Sequence, residues 1–228
     1  MNEGCNCENC ELKDLFFRSV NQEQLTMICT ERIEKKHKIG DIIINQETEI
    51  NNFTYLKSGL VKLFKVNNDG KEQILTIAKP FDFVSILSIF ANTKYQYSVK
   101  ALEDSVTCNM SLTDIKKLIH KNGIFAMNLI EKMSMVSNNI IQESLEIRRH
   151  NLKGRIAIIL LYFANNVYGK TDFELPLSRK EIAEYIGMTT ENVIRTLSEF
   201  RKDGLIKIFG KIIEISDKER LEKLAKYG

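Results

Sequence analysis

The segment that most restricts what this chain can fold into is LSRKEIAEYIGMTTENVIRTLSEFRKDGLIKIFGKIIEI, Leu177 to Ile215. Ser178 followed by Glu181 is capping-box spacing, and Ile182, Ala183 and Ile186 share one face, which predicts a helix of about eight residues. Gly187 ends it, because a turn this tight needs a residue that tolerates positive φ. Thr189 or Thr190 caps a second helix that buries Val193, Leu197 and Phe200 and turns Thr190, Glu191, Ile194 and Arg195 outward. Gly204 stops that helix, and LIKIFGKIIEI, turning at Phe209-Gly210-Lys211, predicts a β-hairpin. The order helix, glycine turn, helix, hairpin predicts a winged helix-turn-helix. That fold lays the first residues of its second helix in the major groove of DNA, where Glu accepts from cytosine N4 and Arg bonds guanine O6 and N7 together. An unrelated αα-hairpin with solvated charges has two helices too, but no reason for cap, Glu/Arg pair and wing to follow in order. The candidate DNA contacts are Arg179, Thr189, Thr190, Glu191, Asn192, Ile194, Arg195 and, on the wing tip, Lys211.

Upstream the hydrophobic period changes twice. From roughly Ile39 to Met110 the segments GDIIINQ, NNFTYLKSGLVKLFKVNNDGKEQILTIAK and SVKALEDSVTCNM are short, β-branched and broken by Ser58-Gly59, Asn68-Asp69-Gly70 and Lys79-Pro80. They predict a β-rich roll, preceded by a short helix over about Asn21 to Glu34. From Leu112 to about His150 the pattern is helical. Ile130, Met133, Ser137, Ile140, Ser144 and Ile147 alternate spacings of three and four, as in the seam of a two-stranded coiled coil. A core helix packed on its own roll shows a similar stripe, but a second one, Leu129, Val136 and Leu145, is available for that packing. The first seam is therefore read as a dimerisation face.

At 228 residues the chain has room for one large or two modest cores and does not need disulfides to fold. No run approaches the roughly 18 apolar residues of a membrane span, and the N-terminus lacks a secretory pattern, so a cytoplasmic protein without a membrane partner is expected. The net charge of +3 is uneven: Asn151 to Gly228 holds 14 Lys+Arg against 11 Asp+Glu, and the first 150 residues 19 against 19. The basic excess thus lies in the segment expected to meet phosphate. Three of the 5 cysteines, Cys5, Cys7 and Cys10, crowd into CNCENC. In a reducing compartment such a cluster points to metal ligation or redox chemistry.

Over nearly its whole length the chain resembles the CRP/FNR family of transcription regulators, through SGLVKLFKVNNDGKEQILTIAKPFDF, ALEDSVTC and above all EIAEYIGMTTENVIRTLSEFRKDG. The resemblance implies an α+β chain with a cyclic-nucleotide-binding-type β-roll, a long dimerisation helix and a C-terminal winged helix-turn-helix. The expected segments are 1–20, cysteine-rich; 21–120, sensing roll; 121–150, dimerisation helix; and 151–228, DNA-binding domain. It also implies a homodimer acting on palindromic double-stranded DNA with RNA polymerase as a partner. Glu191 and Arg195 match the family's base-reading pair, expected at a TGA-type step in each half-site. Ile194 stands where family members carry serine or glycine, which leaves the outer base preference open.

Family members that bind cyclic nucleotides cradle the phosphate with a Gly-Glu pair and an arginine some ten residues on. Here those positions read Ser85-Ile86 and Tyr95 or Gln96, and there is no arginine between Arg32 and Arg148. A phosphate without a guanidinium would be poorly satisfied there, so a cyclic nucleotide is not the expected ligand. The family's oxygen-sensing members hold a 4Fe–4S cluster on three N-terminal cysteines and one in the roll, in a segment very like ALEDSVTC. By that resemblance Cys5, Cys7, Cys10 and Cys108 are the candidate ligands. The third N-terminal position of the family falls on Phe16, and Cys5, or else Cys29, would replace it. Four thiolates also suit structural zinc, and Cys108 alone reads equally as a small core thiol beside Val106 and Met110. Oxygen, nitric oxide, redox state or another small ligand all remain open as the signal. His37, His120 and His150 are scattered without partner spacing. A dithiol or iron–sulfur oxidoreductase would account for CNCENC but leave the helix-turn-helix idle, and no Gly-rich cofactor loop or Ser/His/Asp set accompanies it; an enzyme is not expected.

Overall fold

The computed structural model describes residues 17–30, 32–68 and 70–228; the candidate ligands Cys5, Cys7 and Cys10 lie outside the described residues. The chain forms two compact units, one running to Asn139 without Lys71–Leu75, the other made of Lys71–Leu75 with Ile140–Gly228.

The first unit begins with α1 (Gln22–Thr30) and continues through β1 (Ile33–His37), β2 (Ile42–Ile44), β3 (Asn52–Ser58), β4 (Val61–Val66), the end of β5 (Glu72–Ala78, which starts in the second unit), β6 (Ser98–Ala101) and β7 (Ser105–Ser111). Two sheets result, ordered β1-β7-β3 and β2-β6-β4-β5, which is the β-roll that the short branched segments predict. The register explains the pattern: Val61 lies opposite Ala101 and Leu63 opposite Val99, and all four are buried. Phe83 packs against Phe53 and Tyr55, with ring centroids 4.7 and 6.1 Å away. Burying such side chains removes roughly 1.5–3 kcal/mol of exposure cost apiece. The helix expected to reach Glu34 stops at Thr30. Ile33–His37 instead line the edge of β7, with Glu34 opposite Cys108, so that β7 has partners on both sides. At the β3–β4 turn Gly59 has φ +89°, and a Cβ there would lie 2.6 Å from the Asp104 carbonyl oxygen.

The helical stretch after β7 is broken once. Ser111 accepts from the Asp114 N–H at 3.3 Å and caps α2 (Leu112–Lys121). Asn122 then leaves helical geometry, and its Oδ1 accepts from the Phe125 N–H at 3.0 Å to start α3 (Gly123–Arg149). The Nδ2 of Asn122 donates to the Ser19 carbonyl at 2.7 Å, while Phe17 stacks on Phe125 at 5.6 Å. The residues before α1 are thereby tied to the α2–α3 corner.

The second unit contains α4 (Leu152–Tyr162), a π-helical turn over Phe163–Tyr168, β8 (Asp172–Glu174), α5 (Arg179–Ile186), α6 (Thr190–Lys202), β9 (Ile206–Phe209), β10 (Ile212–Ile215) and α7 (Lys218–Tyr227). Its core is Ile156, Leu160, Phe163, Val193, Leu197, Phe200, Ile213 and Leu221. The β9–β10 hairpin gains a third strand, β8, which pairs with β10 through Phe173 and Ile213.

Candidate nucleic-acid interface and sensing site

The α5–α6 pair is positioned by its own caps. Ser178 and Glu181 form the reciprocal capping box, with the Ser178 N–H donating to the Glu181 carboxylate at 2.8 Å. Gly187 takes φ 68° and ψ 42°, and the Met188 N–H donates to the Ala183 carbonyl at 2.9 Å. Thr189 caps α6 by accepting from the Asn192 N–H at 3.3 Å. Val193, Thr196, Leu197 and Phe200 are buried, whereas Glu191, Ile194 and Arg195 are exposed and Thr190 and Asn192 half-buried. One end of α6 therefore offers an acid, a branched apolar side chain and a guanidinium beside the helix N-terminus. Arg195 is held at both ends: its Nη2 donates to Asn192 Oδ1 at 3.0 Å, and its Nε lies 4.0 Å from Glu199. Glu199 itself faces Lys153 of α4 at 2.9 Å; that ammonium holds the carboxyl below its usual range, and the carboxylate raises the ammonium in turn. Arg179 is half-buried at the start of α5, where desolvation lowers its guanidinium. Lys211 is exposed on the wing, 3.7 Å from Glu174.

Three side chains that sequence reasoning did not select organise the second unit. Arg155 donates from Nε to the His150 carbonyl at 2.8 Å, from Nη2 to the Arg148 carbonyl at 3.2 Å, and from Nη1 to the Ile186 carbonyl at 2.9 Å. It thus uses the orphan carbonyls at the ends of α3 and α5. The Tyr185 hydroxyl donates to the Glu143 carboxylate, a second tie between the same two helices. A lone arginine inside the apolar run GRIAIILLYF was the available signal for Arg155; for Glu143 and Tyr185, 42 residues apart, there was none.

On α3 the residues of the expected seam differ in exposure within the chain. Ile130 is 54 % exposed and Ser137 is exposed, but Met133, Ile140 and Ser144 are half-buried and Ile147 is only 4 % exposed. Ile147 follows Glu143 by one turn and so shares the face that looks onto α5. Leu145, assigned to packing on the roll, is 52 % exposed instead. The large apolar side chains that α3 exposes are Ile124, Met127, Ile130 and Met135 in its first half and Ile141 and Leu145 in its second; only Ile130 among them belongs to the expected seam.

In the roll, Ser85, Ile86 and Tyr95, at positions that would cradle a phosphate, are buried, whereas Gln96 is exposed. Ile86 is fully buried, and the Ser85 hydroxyl accepts from the Thr54 N–H at 2.9 Å. Where an arginine was sought, the Tyr95 hydroxyl donates to the Asn52 carbonyl at 3.2 Å, and burial pushes it up to about 12, so it stays a neutral donor. The neighbouring Tyr97 hydroxyl donates to the Val84 carbonyl at 3.1 Å and is likewise pushed up by burial. Cys108 is a thiol 3 % exposed on β7, between Glu34 of β1 and Tyr55 of β3. Cys29 is half-buried and disulfide-bonded on α1, which packs against β7. Among the described residues, no group of three His, Cys, Asp or Glu is arranged to hold a metal. None of the described helices is long and apolar enough to cross a membrane.

Two family models match the chain: the cyclic nucleotide-binding domain over residues 34–122 and the Crp-like helix-turn-helix domain over residues 154–224. The chain is 27 % identical to regulatory protein HlyX of Actinobacillus pleuropneumoniae, covering 94 % of this chain and 92 % of that one. It is 25 % identical to the fumarate and nitrate reduction regulatory protein of Escherichia coli K12, covering 97 % and 92 %. Its fold is similar to that of a solved crp/fnr-family transcriptional regulator from Eubacterium rectale, with a TM-score of 0.79 at 22 % identity, covering 92 % of this chain and 97 % of that one.

Proposed function

The chain belongs to the CRP/FNR family, whose members are transcription regulators and not enzymes, and we propose that it works as a dimer that reads palindromic DNA with α6 and senses oxygen, nitric oxide or redox state through cysteine-bound iron and sulfur. The observation that carries the DNA reading is the exposed Glu191, Ile194 and Arg195 at the capped start of α6, with the cationic wing tip following in the chain. Glu191 accepts from a cytosine N4, Arg195 bonds a guanine through two nitrogens, and Thr189, Thr190, Asn192, Arg179 and Lys211 fix register on the phosphates. The exposed apolar side chains of α3, Ile141 and Leu145 among them, support dimerisation through that helix, since large apolar side chains left in water are costly. RNA polymerase is the partner through which a regulator bound in this way acts.

The sensing half rests on thiol chemistry. Cys108 places one buried sulfur in the roll, and Cys5, Cys7 and Cys10 are the remaining donors; Cys29, expected as the substitute ligand, is disulfide-bonded and offers no thiolate. Bound there, a 4Fe–4S cluster supplies reactivity toward oxygen and nitric oxide. The chain's part is to keep Cys108 dry and in place between β1 and β3. The filled cradle around Ser85 and Tyr95 supports the same reading by leaving a cyclic nucleotide no anchor.

Anaerobic purification followed by an absorbance spectrum and iron and sulfide analysis tests the sensor. Brown protein with about four iron and four sulfide per chain is expected, and Cys108→Ala should be colourless but folded. Stoichiometric zinc, or metal-free protein that still binds its operator, would overturn the iron–sulfur half and leave the DNA half standing.

A further inference from the structure

In the second unit, the last turns of α3 face two ways. Ile141 and Leu145, 55 % and 52 % exposed, lie on one side. Glu143 and Ile147 lie about half a turn round the helix, on the side that meets α5. From Glu143 the path to α6 is short and hydrogen-bonded throughout. The Tyr185 hydroxyl, on a side chain 8 % exposed, bonds the Glu143 carboxylate, and Arg155 joins the Arg148 and His150 carbonyls to that of Ile186. Ile186 is followed by the Gly187 turn and the Thr189 cap of α6. No unstructured linker lies between the face available to a second copy and the helix that meets DNA. Ile140–Gly228 accordingly falls within one compact unit.

We infer that the Tyr185–Glu143 hydrogen bond is a spacing determinant: it holds α5 and α6 at one distance from the dimer axis, and so sets the separation at which the two halves of an operator are read. Tyr185 and Glu143 touch no base. They act by positioning α6, and the inference rests on the reading of the protein as a dimer that binds a palindrome with that helix. Two recognition helices must fall about one helical turn of DNA apart, roughly 34 Å, and a stiff connection penalises any other separation. Arg155 draws on the Arg148 and His150 carbonyls at the end of α3, whereas the Tyr185–Glu143 bond is made more than a turn further back along α3, so that the last turn of α5 is held to α3 at two points.

The experiment uses the full-length protein and fluorescence anisotropy on four duplexes: the selected palindrome, the same with one base pair added or removed at its centre, and a single half-site. Wild type should bind the altered spacings at least about tenfold more weakly than the parent, the scale of a lost hydrogen bond to a charged group. Tyr185→Phe, which removes only the hydroxyl, should shrink that penalty several-fold while base preference and salt slope stay unchanged, because the α6 contacts are untouched. Glu143→Leu should match it, Glu143→Gln should keep most of the wild-type penalty, and the double variant should go no further than either single. A Tyr185→Phe protein that keeps the full spacing penalty overturns the inference. So does one that loses affinity equally for every duplex, which is the mark of a merely structural role. If wild type binds the half-site as tightly as the palindrome, the dimeric reading falls first and takes the inference with it.

Discussion

Gly59 and Arg195 show how differently single residues are constrained here. Gly59 combines a φ of +89° with contacts that leave no room for a methyl group, since its Cβ would sit 2.6 Å from Asp104 O and 2.7 Å from Ser105 Cα. Both atoms are backbone and cannot rotate away. Gly59→Ala should destabilise the protein by about 3 kcal/mol, read as a lower midpoint in urea with unchanged slope. Arg195, in contrast, is exposed, and its proposed role is to read a base. Its hydrogen bond to Asn192 and its approach to Glu199 keep the guanidinium extended along the outer face of α6. Arg195→Ala should cost roughly 1–3 kcal/mol per half-site and flatten selection at one guanine, whereas Lys211→Ala should weaken all sequences alike and reduce the salt slope by about one. Selection from random duplexes at two salt concentrations separates the two. A uniform loss for Arg195→Ala would remove it from the base-reading set.

Among the elements, α3 is the one whose faces spacing alone cannot tell apart: period-seven spacing leaves several faces of this helix eligible for a partner, and in the structure α5 takes the side bearing Glu143 and Ile147. Replacing Ile141 and Leu145 together with Glu should convert dimer to monomer in sedimentation without lowering the thermal midpoint much, because the charges enter water once the copies separate. Ile147→Glu should act the other way. That side chain is 4 % exposed within its own chain, so the variant should lose several kcal/mol of folding stability, about 3 or more, before any effect on association is seen. If Ile147→Glu gave a stable monomer, the original seam would be restored.

For the whole molecule, the roll has the architecture of a ligand-binding domain, but its phosphate-cradle positions are packed. Ser85, Ile86 and Tyr95 are buried and hydrogen-bonded or packed among their own neighbours, whereas Gln96 is exposed. A ligand that binds only the native state raises the unfolding free energy by about 2.7 kcal/mol at a hundred times its Kd. Cyclic AMP at millimolar concentration should therefore leave the thermal midpoint unchanged, and a rise of several degrees would show that the cradle opens. Tyr95 and Tyr97 add no pH dependence near neutrality, since burial pushes both hydroxyls up and each keeps its proton through the physiological range.

What the sequence determined by itself is whatever depends on neighbours along the chain. The capping box at Ser178 and Glu181, the positive φ of Gly187, the buried and exposed faces of α6 and the Gly210 turn of the wing are all local, and each is present as read except that Thr190 is half-buried. The strands of the roll were legible for the same reason, through branched runs between turns. Contacts between distant segments were decided only by the tertiary structure. β1 replaced the end of a helix because β7 offered an edge to pair with. The third strand of the wing came from Asp172–Glu174, far upstream of the hairpin it joins. The side of α3 that α5 covers was settled by where Tyr185 and Arg155 attach α5 to it, and hydrophobic spacing along one helix carries no record of which side another helix will cover.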